Sequence, residues 1–94
     1  APIHYGIAKA ALIQLTKELA VRFSERKVAV NCLSFGGVAG RVDKSFEQRY
    51  SKLCPYGQML TEDDLLHHVL YLLHPDFVGM TGQNLIVDGG WTVW

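Results

Sequence analysis

A chain of 94 residues is long enough for one domain or part of one. Apolar residues make up 49% and charged residues 19%, which excludes an intrinsically disordered chain and fits one that builds a core. Nine basic and nine acidic residues cancel to a formal net charge of zero, so there is no electrostatic footprint for nucleic acid or for an anionic membrane.

The apolar runs are short and broken by charge, so no transmembrane helix is expected. Ala1-Pro2-Ile3-His4 has neither the basic nor the apolar region of a secretory leader. Cys32 lies in an apolar run and Cys54 precedes a proline, without metal-ligand spacing. They read as reduced thiols, and the cytoplasm is the expected compartment.

The spacing predicts a first helix over residues 5 to about 25. Ala8, Leu12, Leu15, Leu19 and Phe23 recur at steps of three and four and form one apolar face. Ile7, Ala10, Ala11 and Ile13 widen it, so the helix seeks partners on two sides. Val28-Ala29-Val30-Asn31-Cys32-Leu33 is β-prone and reads as a strand, followed by a glycine-rich loop over 35–40. A polar second helix is expected over 43–53, stopped by Cys54-Pro55. Thr61 is a good N-cap for a third helix that carries Glu62, Asp63 and Asp64 in its first turn and ends near His74-Pro75. Leu85-Ile86-Val87 reads as a second strand that turns out through Gly89-Gly90.

Two strands joined by a long helical crossover pair in parallel with right-handed topology. Parallel sheets are normally covered on both faces. The fold class expected is therefore α/β, the C-terminal part of a doubly wound Rossmann-type parallel sheet with two strands and three helices. Residues 1–94 then form the C-terminal portion of a single domain.

Tyr5 and Lys9 are one helical turn apart, which puts a phenol and an ammonium on the same face. An ammonium beside a phenol favours the phenolate and eases proton exchange with a carbonyl or alcohol oxygen. Taken alone, this spacing describes many ordinary helix surfaces. His67 with Asp63 and His68 with Asp64 are each four apart, but no established zinc spacing is present. They read as a solvated helix face, and no metal is expected. Trp91 and Trp94 form an aromatic tail suited to an interface.

Three motifs stand in order: Tyr5-Gly6-Ile7-Ala8-Lys9, then Asn31 and the loop Phe35-Gly36-Gly37-Val38-Ala39-Gly40, then Thr81-Gly82-Gln83 with Val87-Asp88-Gly89-Gly90. Together they resemble the short-chain dehydrogenase/reductase family from its catalytic helix to its C-terminus, over essentially the whole chain. The resemblance implies an NAD(P)-dependent oxidoreductase that interconverts an alcohol and a ketone by hydride transfer. It makes Tyr5 the general acid/base and Lys9 the anchor of the nicotinamide ribose. Asn31 matches the asparagine that begins the strand-end motif. Phe35, Gly36, Val38 and Gly40 lie in the loop against the nicotinamide, and Val38 takes the carboxamide through its backbone. Thr81-Gly82-Gln83 and Asp88-Gly89-Gly90 are implied to be structural.

The chain departs from the family at named points. Phe35-Gly36 stands where the family usually has Pro-Gly, Gly40 where it commonly has Thr, and Ala8 where it usually has Ser. The family's catalytic serine and its first βαβ unit, with the glycine-rich pyrophosphate turn, belong before Tyr5. Gly36-Gly37-x-x-Gly40 lacks the spacing of that turn and reads as the nicotinamide-side loop. The resemblance thus implies NAD or NADP in the intact enzyme and none held by this chain alone. It implies a separate N-terminal half and assembly as a homodimer or homotetramer through the first helix. The segment 42–50, with 54–60 after it, matches the family's substrate lid and looks like members that act on sugars or sugar nucleotides. The alternative is a catalytically silent fragment or assembly module that only supports oligomerisation.

Overall fold

The computed structural model describes residues 2–76 and 79–93, so Trp91 of the aromatic tail is included and Trp94 lies outside the described residues. Among the described residues the architecture is α/β, with three α-helices and a two-stranded parallel sheet. Helix α1 spans Ile3–Arg22, strand β1 Cys32–Phe35, α2 Lys44–Leu53, α3 Glu62–Leu73 and β2 Asn84–Val87, with 3-10 turns at Ser24–Arg26 and Trp91–Val93. The chain forms two compact units, residues 1–32 with 75–85 and residues 33–74 with 86–94.

In the first unit, α1 stops at Arg22 against the expected 25 because Phe23 leaves helical geometry and the next turn tightens to 3-10. Lys27 ends that turn in the left-handed region at φ 58°. The expected apolar face needs correction. The buried residues of α1 are Thr16 and Ala20, while Leu12 and Leu15 are about half exposed. Thr16 can be buried because its hydroxyl donates to the Leu12 carbonyl at 2.8 Å. Ile3, Ile7 and Val21 are 84%, 64% and 73% exposed, so much of the apolar surface of α1 is uncovered.

The first expected strand is also corrected, from 28–33 to Cys32–Phe35. Residues 30 and 31 do meet the segment 80–83, through one backbone bond, from the Gly82 amide to the Val30 carbonyl at 2.7 Å, and otherwise through side chains. The Val30 amide donates to Thr81 Oγ1 at 3.0 Å, Asn31 Nδ2 donates to the Met80 carbonyl at 3.0 Å, and the Gln83 amide donates to Asn31 Oδ1 at 3.1 Å. The regular ladder starts only where the Cys32 amide donates to the Gln83 carbonyl at 2.9 Å. It ends in the second unit, where the Gly36 amide donates to the Val87 carbonyl at 2.9 Å. Phe35, expected in the loop, is the last residue of β1.

In the second unit, α3 begins at its expected Thr61 cap, and α2 begins at Lys44, with Asp43 as its cap instead of its first residue. Asp43 caps α2 by accepting from the Phe46 amide at 2.7 Å. Thr61 and Asp64 form a reciprocal capping box on α3: the Asp64 amide donates to Thr61 Oγ1 at 3.2 Å, and the Thr61 amide donates to Asp64 Oδ2 at 2.7 Å. Cys54, Met59 and Leu60 are the buried apolar residues of this unit. The segment after α2 docks on the Asp88-Gly89-Gly90 turn: the Tyr56 amide donates to the Gly89 carbonyl at 2.9 Å, and the Cys54 thiol lies 3.4 Å from the same oxygen.

Thr61→Ala removes the cap and should lower stability by about 1 kcal/mol, read by chemical denaturation. Hydrogen bonds from the Thr61 backbone and hydroxyl hold the Asp64 carboxyl below the usual carboxylate range. A carboxylate lowered on folding contributes stability above its unfolded pKa of about 3.9 and loses it as pH falls through the folded value. Asp64→Asn should therefore flatten the acid limb of the stability profile and leave its slope near neutral pH unchanged. Asn31→Asp loses the donor to Met80 and sets a carboxylate against that carbonyl, so a loss of about 1–3 kcal/mol is expected in the same denaturation measurement.

Candidate functional site

Tyr5 and Lys9 are brought together in the first unit. Tyr5 lies in the first turn of α1, where its amide donates to the Pro2 carbonyl at 3.0 Å and no side chain caps the helix. One turn on, the Lys9 ammonium sits over the Tyr5 ring, 5.3 Å from its centroid, within range of a cation–π contact. Tyr5 is 53% exposed, so its phenol is accessible to a reactant. The neighbouring Gly6 presents no side chain, and Ala8 and Ala10 present small ones. A proton-exchanging group, a cation and low side-chain bulk therefore share one stretch of helix surface.

The loop residues belong to the second unit, where their backbone is held peptide by peptide. Gly36 continues the ladder onto Val87. The Gly37 amide donates to the Tyr50 hydroxyl oxygen at 2.9 Å. The Leu60 amide donates to the Gly37 carbonyl at 2.9 Å, and the Ala39 amide donates to the Leu60 carbonyl at 2.8 Å. These last two bonds make an isolated parallel bridge between Val38 and Leu60. In a parallel bridge the two bonds come from the residues flanking one partner. The N–H and C=O of Val38 itself therefore face away from Leu60, on the other edge of the loop. A donor and an acceptor presented side by side match the two polar groups of a primary amide.

Gly40 takes φ +104°, which L side chains rarely adopt. That conformation suits the glycine that stands there. Gly37 is fixed for a different reason: a Cβ there would lie 2.8 Å from Tyr50 Cζ and 2.8 Å from Met59 Cε.

The closing turn is ordered by Asp88. Its carboxylate accepts from the Gly90 amide at 2.9 Å and the Thr92 amide at 3.1 Å, and the Trp91 amide donates to its carbonyl at 3.2 Å. Hydrogen bonding from the Thr92 side chain leads the interactions that hold the Asp88 carboxyl below its usual range. The turn places the Trp91 indole on the Tyr50 ring, with centroids 4.3 Å apart and planes within 9°. The sequence places Tyr50 only within the lid segment 42–50 and gives it no role of its own. Its signal in the sequence is that of one of two aromatics, with Phe46, in a polar helix. The histidine–aspartate pairs do not converge as ligand pairs at 64 and 68: the Asp64 carboxylate is engaged by Thr61, and His68 Nδ1 lies 2.6 Å from the Asp64 carbonyl.

A family model described as "Enoyl-(Acyl carrier protein) reductase" matches residues 1–92. The chain is 32% identical over 89 residues to the post-translational flagellin modification protein A of Campylobacter coli, which covers 95% of this chain and 35% of that protein. It is 33% identical over 96 residues to the L-tagatose-forming galactitol 2-dehydrogenase of Cereibacter sphaeroides, covering 96% of this chain and 38% of that one. A solved short-chain dehydrogenase from Leptospira borgpetersenii serovar Hardjo-bovis, with bound NAD+, superposes with a TM-score of 0.89 at 37% identity, over 98% of this chain and 36% of its own. The chain thus spans little more than a third of the length of these relatives. No helix among the described residues is long and apolar enough to cross a membrane. By its motifs, its fold and these matches, the chain belongs to the short-chain dehydrogenase/reductase family.

Proposed function

We propose that residues 1–94 are the catalytic-helix-to-C-terminus portion of a single NAD(P)-binding Rossmann-type domain whose intact enzyme interconverts an alcohol and a ketone. The observation that carries this reading is the Tyr5–Lys9 pair, with the ammonium 5.3 Å from the phenol ring on an accessible helix turn. When bound, the nicotinamide supplies or accepts the hydride. Tyr5 gives a proton to the carbonyl oxygen in the reductive direction and takes it from the hydroxyl in the oxidative one. Lys9 holds the ribose hydroxyls and keeps a positive charge beside the phenol ring. Phe35, Gly36, Val38 and Gly40 form the nicotinamide side. The outward-facing Val38 peptide fits a carboxamide by its donor–acceptor chemistry, a fit the Leu60 bridge supports. The N-terminal half contributes the pyrophosphate turn and the choice between NAD and NADP.

The substrate class we infer is a sugar or sugar nucleotide. The lid segment 42–50 supports it, as do a relative named for flagellin modification and another named for galactitol oxidation. The enzyme acts in the cytoplasm as a homodimer or homotetramer. A second reading, an assembly module without catalysis, is favoured by the exposed Ile3, Ile7 and Val21 on α1.

The test uses the full-length enzyme, galactitol as the first of a panel of sugar alcohols, and NAD+ or NADP+. Tyr5→Phe should lower turnover by about 10²–10⁴-fold while cofactor affinity stays within about twofold. Undiminished turnover would remove Tyr5 from the acid/base role. A full-length protein that binds neither cofactor would favour the assembly reading.

A further inference from the structure

We propose that Tyr50 is a positioning residue for the loop 36–40, setting the Val38 peptide through the hydrogen bond it accepts from Gly37. This rests on the dehydrogenase reading above and adds a residue to it that the family resemblance does not assign.

Three observations in the second unit converge on Tyr50. Its phenol oxygen accepts from the Gly37 amide at 2.9 Å, next to the peptide that faces outward at Val38. Its ring lies directly on the loop, because a Cβ on Gly37 would be 2.8 Å from Cζ and 2.9 Å from Cε2, and one on Gly36 would be 3.1 Å from the hydroxyl. The ring plane is set from the other side by Trp91, stacked at 4.3 Å and 9°, and Trp91 is set by the Asp88 turn. Phe46, one turn earlier on α2, adds a looser aromatic contact at 6.3 Å.

The three inward amides of the loop have different kinds of partner. Gly36 and Ala39 donate to backbone carbonyls, of Val87 and Leu60. Gly37 alone donates to a side chain, and that side chain belongs to α2. A displacement of α2, the helix of the substrate lid, is therefore transmitted to Gly37 and from there to the Val38 peptide. A peptide shifted by a few tenths of an ångström presents its donor and acceptor poorly to a planar amide, because hydrogen bonds weaken steeply away from good geometry. The Trp91 clamp limits that shift by holding the ring from behind.

The measurement is a fluorescence titration of the full-length enzyme with NADH and with NADPH, which needs no substrate and yields both affinity and the number of competent sites. Tyr50→Phe keeps the ring on Trp91 and removes only the acceptor. It should raise the cofactor Kd by about two- to tenfold, the worth of one hydrogen bond, at unchanged stoichiometry. It should also speed hydrogen exchange of the Gly37 amide by a similar factor. Trp91→Leu keeps the hydroxyl and removes the clamp, and should raise Kd in the same direction, with Trp91→Phe restoring it. A merely structural Tyr50 would lower the number of competent sites at unchanged Kd, and that result would overturn the proposal. So would an unchanged Kd in both Tyr50→Phe and Trp91→Leu while the wild type binds cofactor. If Tyr50→Phe does not fold, the Trp91 pair decides the question by the same criteria. A wild type that binds neither cofactor would overturn the dehydrogenase reading, and this proposal with it.

Discussion

The bridge between Val38 and Leu60 is the constraint on which the second unit's loop depends. A loop just beyond a strand end must satisfy its peptides without becoming another strand. Here Leu60 takes the peptides on either side of Val38, Val87 takes Gly36, and Tyr50 takes Gly37. With those commitments made, parallel-bridge geometry leaves the Val38 peptide directed outward. The outward-facing peptide is thus defined by what its neighbours bind, the Tyr50 hydroxyl among their partners. Gly40 then turns the chain away at φ +104°. Leu60 can serve this role because it is itself buried and sits just before the Thr61 cap that fixes the start of α3.

Local chemistry was readily legible in the sequence. Thr61 caps α3 where residue type alone predicts it, and Asp43 and Asp64 likewise act at a distance of three residues. Long-range chemistry was not. Residues 28–31 have strand composition, yet the regular ladder begins at Cys32: Val30 makes one backbone bond, from the Gly82 amide, and the Thr81 and Asn31 side chains make the other contacts. The burial of Thr16 on α1 is not legible from its type, because it rests on the hydroxyl being satisfied within the helix. Tyr50 was invisible for the same reason: its partners are a glycine amide and an indole distant in sequence. Family resemblance reached Tyr5, Lys9 and Val38, but no motif contains the contacts that hold them.

The two helices with wide exposed apolar surface, α1 and α3, follow from the same account. Leu66, Leu70 and Leu73 are 51%, 53% and 72% exposed on α3, and α1 carries comparable residues. Apolar area of this extent on helices of a doubly wound fold normally meets another layer or another subunit. Under the proposed function, the N-terminal half of the domain and a second copy of the enzyme supply those surfaces. The chemistry of the pair on α1 and the carboxamide fit at Val38 then belong to one enzyme, completed by the part that binds the pyrophosphate.

The central claim of the proposed function is that the Val38 peptide takes the nicotinamide carboxamide. The most direct measurement is amide- and side-chain-resolved NMR of the full-length enzyme, isotope-labelled and titrated with NADH or NADPH. Nuclear Overhauser contacts from the carboxamide protons to the Val38 amide are the predicted result. Saturable cofactor binding without that contact, and with the perturbed amides outside the loop 36–40, would contradict the claim.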